Sequence, residues 1–89
     1  MLNIQRSSNG AVVFALIGRI EVEGIAELRR LLSLEAANQQ IVLDLLEVTL
    51  AGREAIKFLA RCEAEGVKFQ HCPSYIREWI DAEKGRGGR

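Results

Sequence analysis

The chain has one histidine, two cysteines and no surplus charge of either sign, and each scarcity removes a class of chemistry. Cys62 and Cys72 are too few for a disulfide framework and read as small hydrophobes in a reducing compartment. A zinc site needs about four ligands at standard spacings. Cys62, His71 and Cys72 fall short of that, with no CxxC and no second histidine, so no metal is expected. His71 and Cys72 are neighbours, and neighbours on a strand point to opposite faces, which opposes a nucleophile–base pair. Neither a GxGxxG nor a Walker-type glycine-lysine motif occurs, so the common nucleotide signatures are missing. No catalytic residue and no cofactor are expected. Twelve basic against twelve acidic residues leave no field to recruit nucleic acid or an anionic membrane. No apolar run approaches the ~20 residues that span a bilayer. The opening MLNIQRSSNG lacks the charged leader and apolar core of a signal peptide, and the expected location is the cytoplasm.

What is present is an ordinary globular composition, 48% hydrophobic and 27% charged over 89 residues, enough for one small domain. Leu2–Arg6 alternates apolar and polar, and Asn9-Gly10 favours a tight hairpin into Ala11–Ile17, a β-branched and aromatic run. From Val22 to about Ala37 the period becomes helical, with Ile25, Leu28, Leu31 and Leu32 on one side. Gly24 belongs in the entry or first turn of that helix, because glycine is costly in a helix interior. Ile41–Leu46 is near-continuously apolar and predicts a central strand covered on both faces, with Asp44 its charged exception. After a turn, Ala55, Ile56, Leu59 and Ala60 form one side of a second helix and Arg53, Glu54, Lys57 and Arg61 the other. Gly66 marks its stop. Val67–Cys72 reads as a strand at or near a sheet edge. Ser74 is a candidate N-cap for a last helix whose apolar stripe is Tyr75, Ile76, Trp79 and Ile80. Tyr75 and Trp79 read as core that caps the sheet, the alternative being a partner-binding stripe. Residues 84–89, KGRGGR, have no apolar residue and are expected to be disordered.

The order strand, strand, helix, strand, helix, strand, helix predicts a single α/β domain over residues 1–83. Two right-handed β-α-β units give a mostly parallel sheet of about four to five strands with three to four helices, and the N-terminal hairpin adds an antiparallel member.

That order and two local patterns resemble a STAS domain, the small α/β module of sulfate transporters and anti-sigma factor antagonists. The first pattern is Gly18-Arg19-Ile20-Glu21 followed by Glu27-Leu28-Arg29-Arg30-Leu31-Leu32. The second is Ile41-Val42-Leu43-Asp44-Leu45 with Val48, then Ala55-Ile56 and Leu59. The resemblance implies a non-catalytic interaction module of bacterial signalling whose partner is another signalling protein, such as an anti-sigma-type kinase. Its surface would be the turn and helix at 48–58 with the neighbouring 18–24 turn, and the candidate residues are Arg53, Glu54, Lys57, Thr49, Gly52 and Glu21. Phosphorylatable members carry an Asp-Ser pair where this chain has Gly52-Arg53. Arg53 has no hydroxyl and the wrong sign of charge to imitate a phosphate, so no phosphorylation is expected there. Thr49, the nearest hydroxyl, reads as a cap or bridge of the turn. An alternative implied by some relatives is a small-ligand module in which Arg53 and the helix N-terminus hold a nucleotide or other anion. A homodimer through an exposed strand edge or the Tyr75/Trp79 helix is a further arrangement the sequence allows.

Overall fold

Asn9 and Ala11 pair directly across Gly10, whose φ of +86° lies in the left-handed region that glycine enters without a Cβ clash. This turn joins β1 (Leu2–Asn9) to β2 (Ala11–Ile20) as the expected hairpin. The chain, a computed structural model describing residues 2–87, continues as α1 (Val22–Ser33), β3 (Ile41–Ala51), α2 (Arg53–Ala64), β4 (Lys68–Gln70) and α3 (Ser74–Gly87). The sheet order is β1-β2-β3-β4, antiparallel between β1 and β2 and parallel thereafter. The mixed, mostly parallel α/β sheet expected from the sequence is therefore present, with four strands and three helices among the described residues.

From β2 the chain always steps the same way across the sheet, so crossovers of one hand place α1 and α2 on one face, where α3 joins them by packing on α2. α2 sits between α1 and α3 and touches both. Beneath them Val12, Phe14, Leu16 and Ile20 of β2 and Leu43, Leu45, Val48 and Ala51 of β3 are buried against Ile25, Leu28, Phe58, Leu59, Ile76 and Ile80. No helix among the described residues covers the opposite face, and Val13, Ala15, Ile17, Val42 and Asp44 stay partly accessible there. β3 was expected to be covered on both faces; it is covered on one, because the chain never reverses direction across the sheet.

Boundaries moved where local geometry overrode periodicity. β3 runs to Ala51 instead of Leu46, paired along β2 as far as Ile20↔Ala51. Two register irregularities, between Ala15 and Ile17 and between Gly18 and Arg19, give β3 extra residues and reset which side chains face inward. The apolar spacing Leu43, Leu45, Val48, Ala51 thereby loses its period of two. The expected turn at 47–52 shrinks to Gly52. α1 stops at Ser33, short of Ala37, where Leu34 and Glu35 bond back to Leu31 and Leu32. α2 ends as expected at Gly66 (φ +102°): the Gly66 N–H donates to the Glu63 carbonyl and the Val67 N–H to the Cys62 carbonyl. β4 covers only Lys68–Gln70, because His71 turns out of the strand at φ +56°. Ser74 is the first residue of α3 and not its N-cap; the Pro73 carbonyl accepts the first helical bond, from the Arg77 N–H at 2.9 Å. α3 continues through Lys84 to Gly87, and Gly88 and Arg89 lie outside the described residues. No helix among the described residues is long and apolar enough to cross a membrane.

Candidate interaction surface

The parallel strands β2 and β3 end level with each other, and the next residues, Glu21 and Gly52, are the N-caps of α1 and α2. Both caps have extended backbone; the Glu21 side chain makes no capping bond to α1, and glycine has no side chain to cap α2. Two helix N-termini therefore emerge side by side, each with unpaired N–H groups and a partial positive charge. Gly52 has an ordinary φ of −77° and a Cβ built there meets nothing, so glycine is not sterically required.

The six candidate residues do not converge. Arg53 opens α2, is exposed, and shares a shallow depression of about 340 Å³ with Ile56, Trp79, Ala82 and Glu83. Glu54 and Lys57 lie on the other flank of α2, facing α1 across a groove. Glu21 pairs with Arg19 at 3.1 Å. Thr49 lies within β3, so it neither caps α2 nor bridges a turn, and its carbonyl accepts the Tyr75 hydroxyl at 3.4 Å.

The sequence reading missed the side chains that give this end its character. Tyr75 and Trp79 are not core: they are 38% and 50% exposed and stack edge to face at 5.8 Å, while Ile76 and Ile80 supply the inward face of α3. Val22 at the start of α1 and Leu50 near the end of β3 are exposed as well. Four of the large apolar side chains that remain exposed among the described residues thus flank the start of α2. Leu34 and Leu46 lie elsewhere.

A second polar constellation sits on the uncovered face. Asp44 Oδ1 accepts the Leu46 N–H at 3.0 Å and lies 3.1 Å from His71 Nδ1, and Oδ2 accepts Gln70 Nε2 at 3.3 Å. Burial pushes the Asp44 carboxyl up, but the Leu46, His71 and Gln70 contacts outweigh it and hold the group below its usual value. These contacts tie the short edge strand β4 to a bulge of β3, a structural use for the charged exception in the apolar run. The thiols are poorly suited to nucleophilic chemistry. Burial and the nearby Glu65 push Cys62 up to about 11, and burial likewise raises Cys72. His71 reaches Asp44 while Cys72 Sγ lies 3.6 Å from the Pro73 carbonyl, so the two side chains part. Among the described residues no three His, Cys, Asp or Glu side chains come together to hold a metal ion.

No family model and no curated protein matches the chain. Among solved structures, one of a protein named Mglu superposes with a TM-score of 0.56 at 25% identity, over 80% of this chain and 19% of that one. The likeness is one of fold. An uncharacterized DUF3478-family protein from Shewanella loihica PV-4, described as having a SpoIIAA-like fold, gives a TM-score of 0.49 at 18% identity, over 78% of this chain and 60% of that one. This chain thus spans about a fifth of the first neighbour's length and three fifths of the second's. The element order and mixed sheet observed here are those that the STAS resemblance implies.

Proposed function

We propose that the chain is a non-catalytic, STAS-like protein-interaction module of bacterial signalling, working in the cytoplasm through the end of α2 that carries Arg53. One observation carries the reading: Leu50, Tyr75 and Trp79 are exposed about the start of α2, where Arg53 makes no ion pair among the described residues of a neutral chain. Apolar side chains gathered this way mark contact surfaces, and Trp, Tyr and Arg are the residues that dominate protein interfaces. By analogy to the family, the partner is an anti-sigma-type kinase or another signalling protein. Arg53 stands at the acceptor position, so docking here is not switched by phosphorylation of that residue and is governed by supply of the partner.

The test is co-purification from the native cell with tagged wild-type protein, Arg53→Glu and Trp79→Ala. Proteins retained by the wild type are expected to fall by roughly tenfold with either variant. The Arg53→Glu melting temperature should hold, since the side chain is exposed and makes no ion pair among the described residues. Equal capture by all three forms would remove this surface. A second reading rests on the two uncapped helix N-termini beside Arg53, which suit a nucleotide phosphate or other anion. An absence of amide shifts at 49–57 with millimolar nucleotide would end that reading.

A further inference from the structure

The cations of this neutral chain are unevenly neutralised. Arg6, Arg19, Arg30, Arg77 and Lys84 each hold a carboxylate at 2.7–3.1 Å. Among the other described cations, Arg29, Arg53, Lys57, Arg61 and Lys68 have no ion pair, and three of these, Arg29, Lys57 and Arg61, line one groove between α1 and α2. The groove measures about 500 Å³, and among the described residues its only lining carboxylate is Glu54. Phe58 forms its apolar floor, with the Arg29 guanidinium 5.4 Å from the ring centroid, and exposed Val22 stands at one end.

The arrangement favours an extended occupant over a point ligand. Lys57 and Arg61 are one turn apart on α2, about 6 Å along the axis, and Arg29 reaches from α1 over the Phe58 ring, so the cations are spread along the groove. A phosphate is held by donors that converge on it. Cations strung along an apolar floor complement a helix that presents carboxylates at i, i+4 beside an apolar stripe. Both walls also begin at the same end, which adds partial positive charge there.

We infer that the α1/α2 groove docks an acidic amphipathic helix of a partner protein, its carboxylates on Arg29, Lys57 and Arg61 and its apolar stripe over Phe58. This site lies on the opposite flank of α2 from Arg53 and Trp79, so it stands or falls independently of the docking surface proposed above.

The test uses the full chain, isotope-labelled, titrated at low salt with a helix-forming peptide of about four turns that carries Leu and Glu at i, i+4 spacing. The controls are the same peptide with Lys for Glu, inorganic phosphate, and phosphatidylglycerol vesicles. Amide shifts are expected within 22–29 and 54–61 for the acidic peptide alone, fading as salt is raised. Lys57→Glu with Arg61→Glu should weaken binding by roughly tenfold or more at unchanged melting temperature, whereas Arg53→Glu should leave it unchanged. If that double variant loses its fold, Lys57→Gln alone is to weaken binding by about threefold. The inference is overturned if the lysine peptide binds as well, if phosphate or vesicles reproduce the shifts, if the shifts fall elsewhere, or if none appears at millimolar peptide.

Discussion

Glu63 shows how much a single side chain can hold at this size. It receives Arg77 through two hydrogen bonds, at 2.9 and 2.7 Å, and Lys84 at 2.9 Å, which ties α3 to α2. The Arg77 bonds are the largest cause of its depressed pKa, which falls to about 2 against burial that opposes the shift. A carboxyl lowered on folding contributes stability that is fully present above its ordinary value near 4.5 and is lost as pH falls from there toward 2. With Lys84 well exposed, the contribution is on the order of 1–2 kcal/mol after solvent screening. The melting temperature is expected to drop over that acid window in the wild type and to drop less in Glu63→Gln, as followed by circular dichroism. An equal acid response in both would assign the loss to other carboxyls, Asp44 first.

At the scale of elements, the first turn of α1 illustrates a conflict between propensity and packing. Alanine is favoured over glycine inside a helix by about 1 kcal/mol. A Cβ at Gly24, however, would sit 2.8 Å from Leu2 Cδ2 and 3.0 Å from Leu2 Cβ, where β1 crosses the start of the helix. Overpacking costs about 1–3 kcal/mol. Gly24→Ala is therefore expected to lower the urea midpoint, with a net loss of about 1 kcal/mol. In a double-mutant cycle with Leu2→Ala, the alanine at 24 should become neutral or stabilising, and additive losses would show that the clash relaxes by another route. Gly24 was legible in the sequence as an entry-turn residue, but its reason was not, since Leu2 is distant in the chain and arrives only through the hairpin.

At the scale of the whole molecule, the described residues form one core layer under three helices and leave the far face of the sheet uncovered. Leu59, fully buried at the centre of α2, packs where the layers meet. Leu59→Ala is expected to cost about 2–5 kcal/mol, a large share of what a small domain has, and to show as a sharp fall in the denaturation midpoint. Leu46→Lys, exposed on the open face, should change stability by no more than about 0.5 kcal/mol. A larger loss on raising concentration-dependent assembly to its limit would point to a second copy covering that face, and light scattering reads this directly.

The sequence by itself determined the order of elements, the hairpin at Asn9-Gly10, the stop at Gly66 and the inward stripe of α2, because each depends on periodicity or backbone chemistry within a few residues. It could not show the length of β3, since bulges against β2 replace the period of two with gaps of three at Leu45, Val48 and Ala51. It could not sort the last helix either. Tyr75 and Trp79 form one row and Ile76 and Ile80 the next, turned by about 100°. Only contact with α2 and the sheet decides which row points inward. For the same reason the surface read as one cluster around Arg53 is divided by α2 itself, Arg53 toward α3 and Glu54 and Lys57 toward α1. Local patterns specify which residues of an element are apolar; which neighbour each face meets is a property of the assembled sheet and its helices.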